Sequence, residues 1–219
     1  MGGEYIEDKK VIPYILLFTI MMLNISGCTR KDFTKKEDEY TKAQKIAVSA
    51  LSDAFYMVKN KNFNVLKYKK HDNWYLFLFY MTTDNSPQYL LCLVENNKAL
   101  WYASAGYPAM SMGFGVNRVK YKGKSIYFCN LNTSTWIPST GARKPTNYTK
   151  MVFEFENGTE LIENVKGDKG YIVIVDGYKK LKDLILYNAK GEIVNRYEDI
   201  GYDCYECKVV GFKHVNLKE

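Results

Sequence analysis

The sequence predicts an α+β fold, mainly β, in which one N-terminal amphipathic helix packs on antiparallel strands. Three observations carry this. One stretch, Tyr40 to Val58, repeats apolar residues at helical spacing; about ten later stretches are short and rich in β-branched and aromatic residues; and tight-turn sequences separate most of them. Tight turns imply antiparallel neighbours, because parallel strands need long crossovers. An antiparallel meander and a two-sheet sandwich both satisfy the pattern.

In chain order, the helix comes first. Ala43, Ile46, Ala47, Ala50, Leu51, Ala54, Phe55 and Val58 recur three and four apart, with lysines and polar residues on the opposite side. Asn60-Lys61-Asn62 ends it. Trp74 to Met81, WYLFLFYM, is apolar on both faces, as a central strand covered on each side would be. The helix is the expected cover for one of those faces.

Hairpins follow at regular intervals. Gln88 to Val94 and Ala99 to Ser104 flank Asn96-Asn97; Val116 to Tyr121 and Ser125 to Leu131 flank Lys122-Gly123. Lys150 to Glu156 and Thr159 to Val165 flank Asn157-Gly158, a strong short-range hairpin sequence. Gly170 to Val175 precedes Asp176-Gly177, Asp183 to Tyr187 and Glu192 to Tyr197 flank Asn188 to Gly191, and Cys207 to Val215 is read as a last strand. Two stretches, Gly106 to Gly115 and Asn132 to Asn147, read as irregular. Long irregular stretches concentrate recognition, so any binding surface is expected there.

Ahead of this domain lies a different kind of sequence. Lys9 and Lys10 precede an apolar run from Val11 to Ile25 that includes Pro13, and Ser26-Gly27-Cys28 follows directly. The run is short for a bilayer span, which needs roughly twenty apolar residues, and has the layout of an export leader. Ile25-Ser26-Gly27-Cys28 resembles the lipobox of bacterial lipoproteins. That resemblance covers residues 1–28 and implies that Cys28 carries a diacylglycerol on its sulfur and becomes the N-terminus after cleavage. Two acyl chains hold a protein on a bilayer stably, where one holds it only reversibly. An uncleaved anchor and an ordinary buried segment are the alternatives.

The expected organisation is therefore a leader over residues 1–27, a charged tether over residues 28–39, and a single β-rich domain over residues 40–219. The tether, TRKDFTKKEDE after Cys28, has almost no apolar side chains with which to order itself. Net charge is +7, spread along the chain. An exported protein seldom meets nucleic acid, so the basic excess points to anionic headgroups or wall polymers, or simply to a solvated surface.

Catalytic motifs are scarce. The two histidines, His71 and His214, stand far apart in sequence, and neither HExxH, GxSxG nor a serine followed three residues later by lysine occurs. No cofactor is implied. Glu154 and Glu156 share one face of their strand, with Phe153 and Phe155 on the other, and read as its solvated side.

Four cysteines remain besides Cys28. Cys92, Cys129, Cys204 and Cys207 allow three disulfide pairings, and Cys92 and Cys129 in apolar strands also suit buried thiols. Cys204-Tyr205-Glu206-Cys207 has the spacing of redox centres, but the following Lys208-Val209-Val210 favours a strand over the helix that such thiols rely on. Trp101, Tyr102, Tyr107 and Trp136, in or beside the irregular stretches, are the candidate binding aromatics.

Two function classes follow. The favoured one is a lipid-anchored, extracytoplasmic binding or interaction module on the cell membrane, contacting a cell-envelope protein or glycan. The other is a cell-envelope enzyme without familiar motifs, or a thiol-disulfide protein using Cys204 and Cys207.

Overall fold

In the computed structural model the described residues are 30–82, 88–105, 113–132, 134–137, 139–197 and 205–212. They form helix α1 (Arg30–Ala54) and fifteen strands. Residues 43–219 make one compact unit.

α1 begins inside the segment expected to be a tether. Lysine and glutamate are good helix formers, and Asp32 and Asp38 each stand four residues before a lysine, the favourable order for a helical ion pair. An expectation based on apolar burial alone does not register either property. The helix ends earlier than its apolar spacing suggests. Phe55 N–H donates to Leu51 O and Val58 N–H to Phe55 O, each at 2.9 Å, and Asn60 turns the chain with φ 53°.

The first sheet is a meander of β1 (Asn62–His71), β2 (Trp74–Thr82), β3 (Gln88–Glu95) and β4 (Lys98–Ala105), closed at the β4 edge by β15 (Val210–Gly211). The middle sheet runs β11 (Gly170–Asp176), β6 (Lys124–Asn130), β5 (Asn117–Tyr121) and β14 (Tyr205–Glu206). The third runs β10 (Glu160–Asn164), β9 (Lys150–Phe155), β12 (Leu181–Tyr187) and β13 (Ile193–Arg196). A separate hairpin, β7 (Ser134–Ile137) with β8 (Ala142–Pro145), occupies part of a stretch that reads as irregular. Among the described strands pairing is antiparallel except between β14 and β5, and an isolated bridge between Lys124 and Gly177 is also parallel.

Side-chain alternation stacks the sheets in three layers. From the middle sheet, Val119, Ile126, Phe128 and Ile172 pack against Trp74, Leu76, Leu78, Leu91 and Trp101 of the first. The residues between them in sequence, Tyr127, Cys129, Tyr171 and Val173, face Phe153, Phe155, Leu184 and Leu186 of the third. A strand buried on both faces needs a continuous apolar run, which is what SIYFC and YIVIV supply.

The first sheet is also covered on its outer face. Phe77, Phe79, Leu90 and Cys92 are buried there, as are Ala43, Ala47 and Leu51 of α1, and the Phe55 and Tyr102 rings meet at 5.3 Å. The mainly β, antiparallel architecture with one N-terminal helix is thus observed, and its layers are three sheets.

Candidate functional site

At one end of the first and middle sheets, three hairpin turns come together. The β3–β4 turn has Asn96 and Asn97 at φ 50° and 60°, and the β5–β6 turn has Lys122 and Gly123 at φ 46° and 72°. Positive φ at both central positions matches the right-handed twist of the flanking strands and favours Asn and Gly. The β1–β2 turn adds Asp72, with φ 50°, and Asn73.

A polar clasp joins these turns. Lys122 Nζ donates to both Glu95 carboxylate oxygens at 2.7 and 2.8 Å, and Tyr121 OH donates to Glu95 Oε2 at 3.2 Å. Asn73 Nδ2 donates to Asn96 Oδ1 at 3.2 Å. Beneath the clasp, aromatic rings run from His71 to Trp74 (4.9 Å), Trp74 to Tyr121 (5.6 Å) and Tyr121 to Trp101 (5.5 Å).

Electrostatics fix the protonation of the acids. Burial by itself would raise the Glu95 carboxyl, but hydrogen bonds and charge from Lys122, with the Tyr121 hydroxyl, outweigh it and hold the group below its ordinary value. Asp176 is lowered by its hydrogen bond to Lys124, and Glu206 first by Lys120 and then by Arg118. All three are therefore anionic at neutral pH and have no proton to donate. Lys122 is raised by Glu95 and stays cationic. Such an arrangement presents fixed donors, acceptors and charge, which suits recognition more than proton transfer.

The candidates named from sequence are placed as follows. Trp101 is 0% exposed, pointing into the layer between the first and middle sheets, so its ring is not open to an outside ligand; its Nε1 has no hydrogen-bond partner. Tyr102 lies half-buried between the Phe55 and Phe212 rings. Trp136 stands in β7 opposite Arg143. Tyr107, Cys28 and Cys204 lie outside the described residues.

Cys92 and Cys129 are buried free thiols, both raised by burial, Cys129 to about 12. Cys92 sits on the helix-covered outer face of the first sheet, in register with Phe77 and Tyr102. Cys129 faces the third sheet. Two sheets separate the layers they occupy, so a Cys92–Cys129 bridge is ruled out. The Cys207 thiol lies 3.5 Å from Asn117 Oδ1 and is pushed up to about 11 by burial, the opposite of what a redox thiol requires.

Beneath the two long stretches lie further polar contacts. Tyr171 OH donates to Gly115 O at 2.5 Å, Asn130 Nδ2 to Asn132 Oδ1 at 2.8 Å, and Thr146 Oγ1 to Asn132 O. These bonds hold the described ends of the stretches onto the middle sheet. Residues 106–112 lie outside the described residues.

Sequence reasoning missed the Glu95–Lys122 clasp and a second pair, Asp183 with Arg196. Asp183 is buried, and Arg196 Nε and Nη2 donate to its Oδ2 at 2.9 and 2.6 Å, fastening β13 to β12. Lone acids ending or interrupting apolar strands, as in LLCLVE and LKDLILY, are the available clue. Among the described residues no group of three His, Cys, Asp or Glu side chains is placed to hold a metal ion, and no helix is long and apolar enough to cross a membrane. Comparison with protein-family models, with characterised proteins and with solved structures returns no match.

Proposed function

We propose that this chain is a bacterial lipoprotein, held through Cys28 on the extracytoplasmic face of the cell membrane, whose β domain is a non-catalytic binding module. One observation carries the reading: Ile25-Ser26-Gly27-Cys28 directly after a short apolar run preceded by Lys9 and Lys10. The domain's chemistry supports binding over catalysis, since Glu95 and Asp176 at the hairpin end are ionised and paired with Lys122 and Lys124. Asn73, Asn96, Tyr121 and Lys122 are the residues we assign to recognition of a cell-envelope protein or glycan.

Fractionation of cells carrying the wild-type chain and Cys28→Ser tests the anchor. Wild type is expected in the membrane pellet, resistant to alkaline extraction, and shortened by its leader; Cys28→Ser is expected to remain full length. Equal length and equal extraction of the two would reject the reading.

A further inference from the structure

We propose that the turn after α1, together with the C-terminal strand β15, forms a second membrane-contacting surface that takes an anionic lipid bilayer. The choice of a bilayer as partner rests on the location proposed above; the surface itself rests on its own geometry.

Tyr56 and Met57 project from this turn with 70% and 79% of their surface exposed. They are not on a loose end. Phe55 and Val58 are tied by backbone hydrogen bonds, and Lys61 Nζ donates to Phe55 O at 2.9 Å, so the turn is fixed with Tyr56 and Met57 pointing into solvent.

The exposure continues across the sheet edge. The Phe55 ring meets Tyr102 at 5.3 Å, Tyr102 meets Phe212 at 5.4 Å, and Val210 is paired directly with Tyr102. Val209 and Val210 are 37% and 46% exposed. Four of the eight large apolar side chains exposed among the described residues therefore belong to two segments joined by one chain of ring contacts. Exposed apolar side chains gathered on neighbouring segments in this way point to an interaction site.

Its charge selects the partner. Lys59 and Lys61 follow the turn and Lys208 precedes Val209, while Asp53 is the one acid in segments 53–62 and 207–212. Aromatic and thioether side chains flanked by lysines suit the headgroup region of an anionic bilayer, where the apolar groups enter and the lysines meet phosphates. A sugar or a neutral peptide would gain nothing from the lysines.

Hydroxyl-radical footprinting of the full-length chain on lipid nanodiscs tests this. Met57 and Tyr56 are reactive and exposed, and their oxidation reports shielding. On phosphatidylglycerol-containing discs, Met57 and Tyr56 are expected to oxidise more slowly than on phosphatidylcholine discs, with Ile162, 60% exposed on β10 of the third sheet, unchanged. Lys59→Gln and Lys208→Gln should each lower the docked-to-free ratio about five-fold. Lys61 is left in place because it holds the turn. Equal oxidation of Met57 on both discs overturns the proposal, as does shielding that rises with protein concentration, which would indicate a second copy as the partner. The mass of the Cys28 peptide, read in the same samples, reports the anchor separately, so failure of one reading is distinguishable from failure of the other.

Discussion

Glu95 shows how a single residue ties two layers together. It ends an apolar strand, is only 7% exposed, and is held ionised chiefly by Lys122, which reaches it from the middle sheet. A carboxyl with a lowered folded-state value contributes stability that is present above its unfolded value, 4.5, and is lost as pH falls through the folded value. Glu95→Gln should therefore be less stable than wild type by about 1–3 kcal/mol at neutral pH. That gap should narrow in acid, where the wild-type carboxyl is also protonated. Urea midpoints across the acid range check it, and a gap independent of pH would show that the charge on Glu95 is not what matters.

At the scale of elements, the start of β11 is packed tightly against the first sheet. A Cβ on Gly170 would lie 2.7 Å from Leu78 Cδ2 and 3.3 Å from Leu66 Cβ, and Leu78 is fully buried. Gly170→Ala is expected to cost about 1–3 kcal/mol by overpacking. Adding Leu78→Val should recover part of that loss, as contacting sites couple. Strictly additive losses in a double-mutant cycle would contradict this packing.

The same scale shows what the sequence could and could not reveal. Hairpins with Asn-Asn and Lys-Gly turns were legible because the turn residues encode positive φ, and the inner strands because apolar runs encode burial. β1 was not, since it is an edge strand: Lys67, Lys69 and Lys70 interrupt its pattern, and a bulge between Val65 and Lys67 shifts its register. Its lysines instead pair with Asp168 and Glu163, contacts some hundred residues away that no local pattern encodes. β7 and β8 escaped for a similar reason, being short and largely polar. At the candidate site, Glu95 and Lys122 lie 27 residues apart and meet only through the stacking of two sheets.

For the whole molecule, the stack explains why aromatics are so abundant. Two apolar layers between three sheets, and a third under the helix, require many large side chains; Phe77, Phe79, Trp101, Tyr127, Phe128 and Phe153 are among those fully buried. Trp101 thus serves the core, and in the reading proposed above recognition falls to the turns and the sheet edge. The lipid anchor proposed at Cys28 would place those surfaces at the membrane. Mass spectrometry of the chain recovered from membranes tests that anchor most directly: an N-terminal Cys28 carrying a diacylglyceryl group with residues 1–27 removed is expected, and an intact leader with unmodified Cys28 would overturn it.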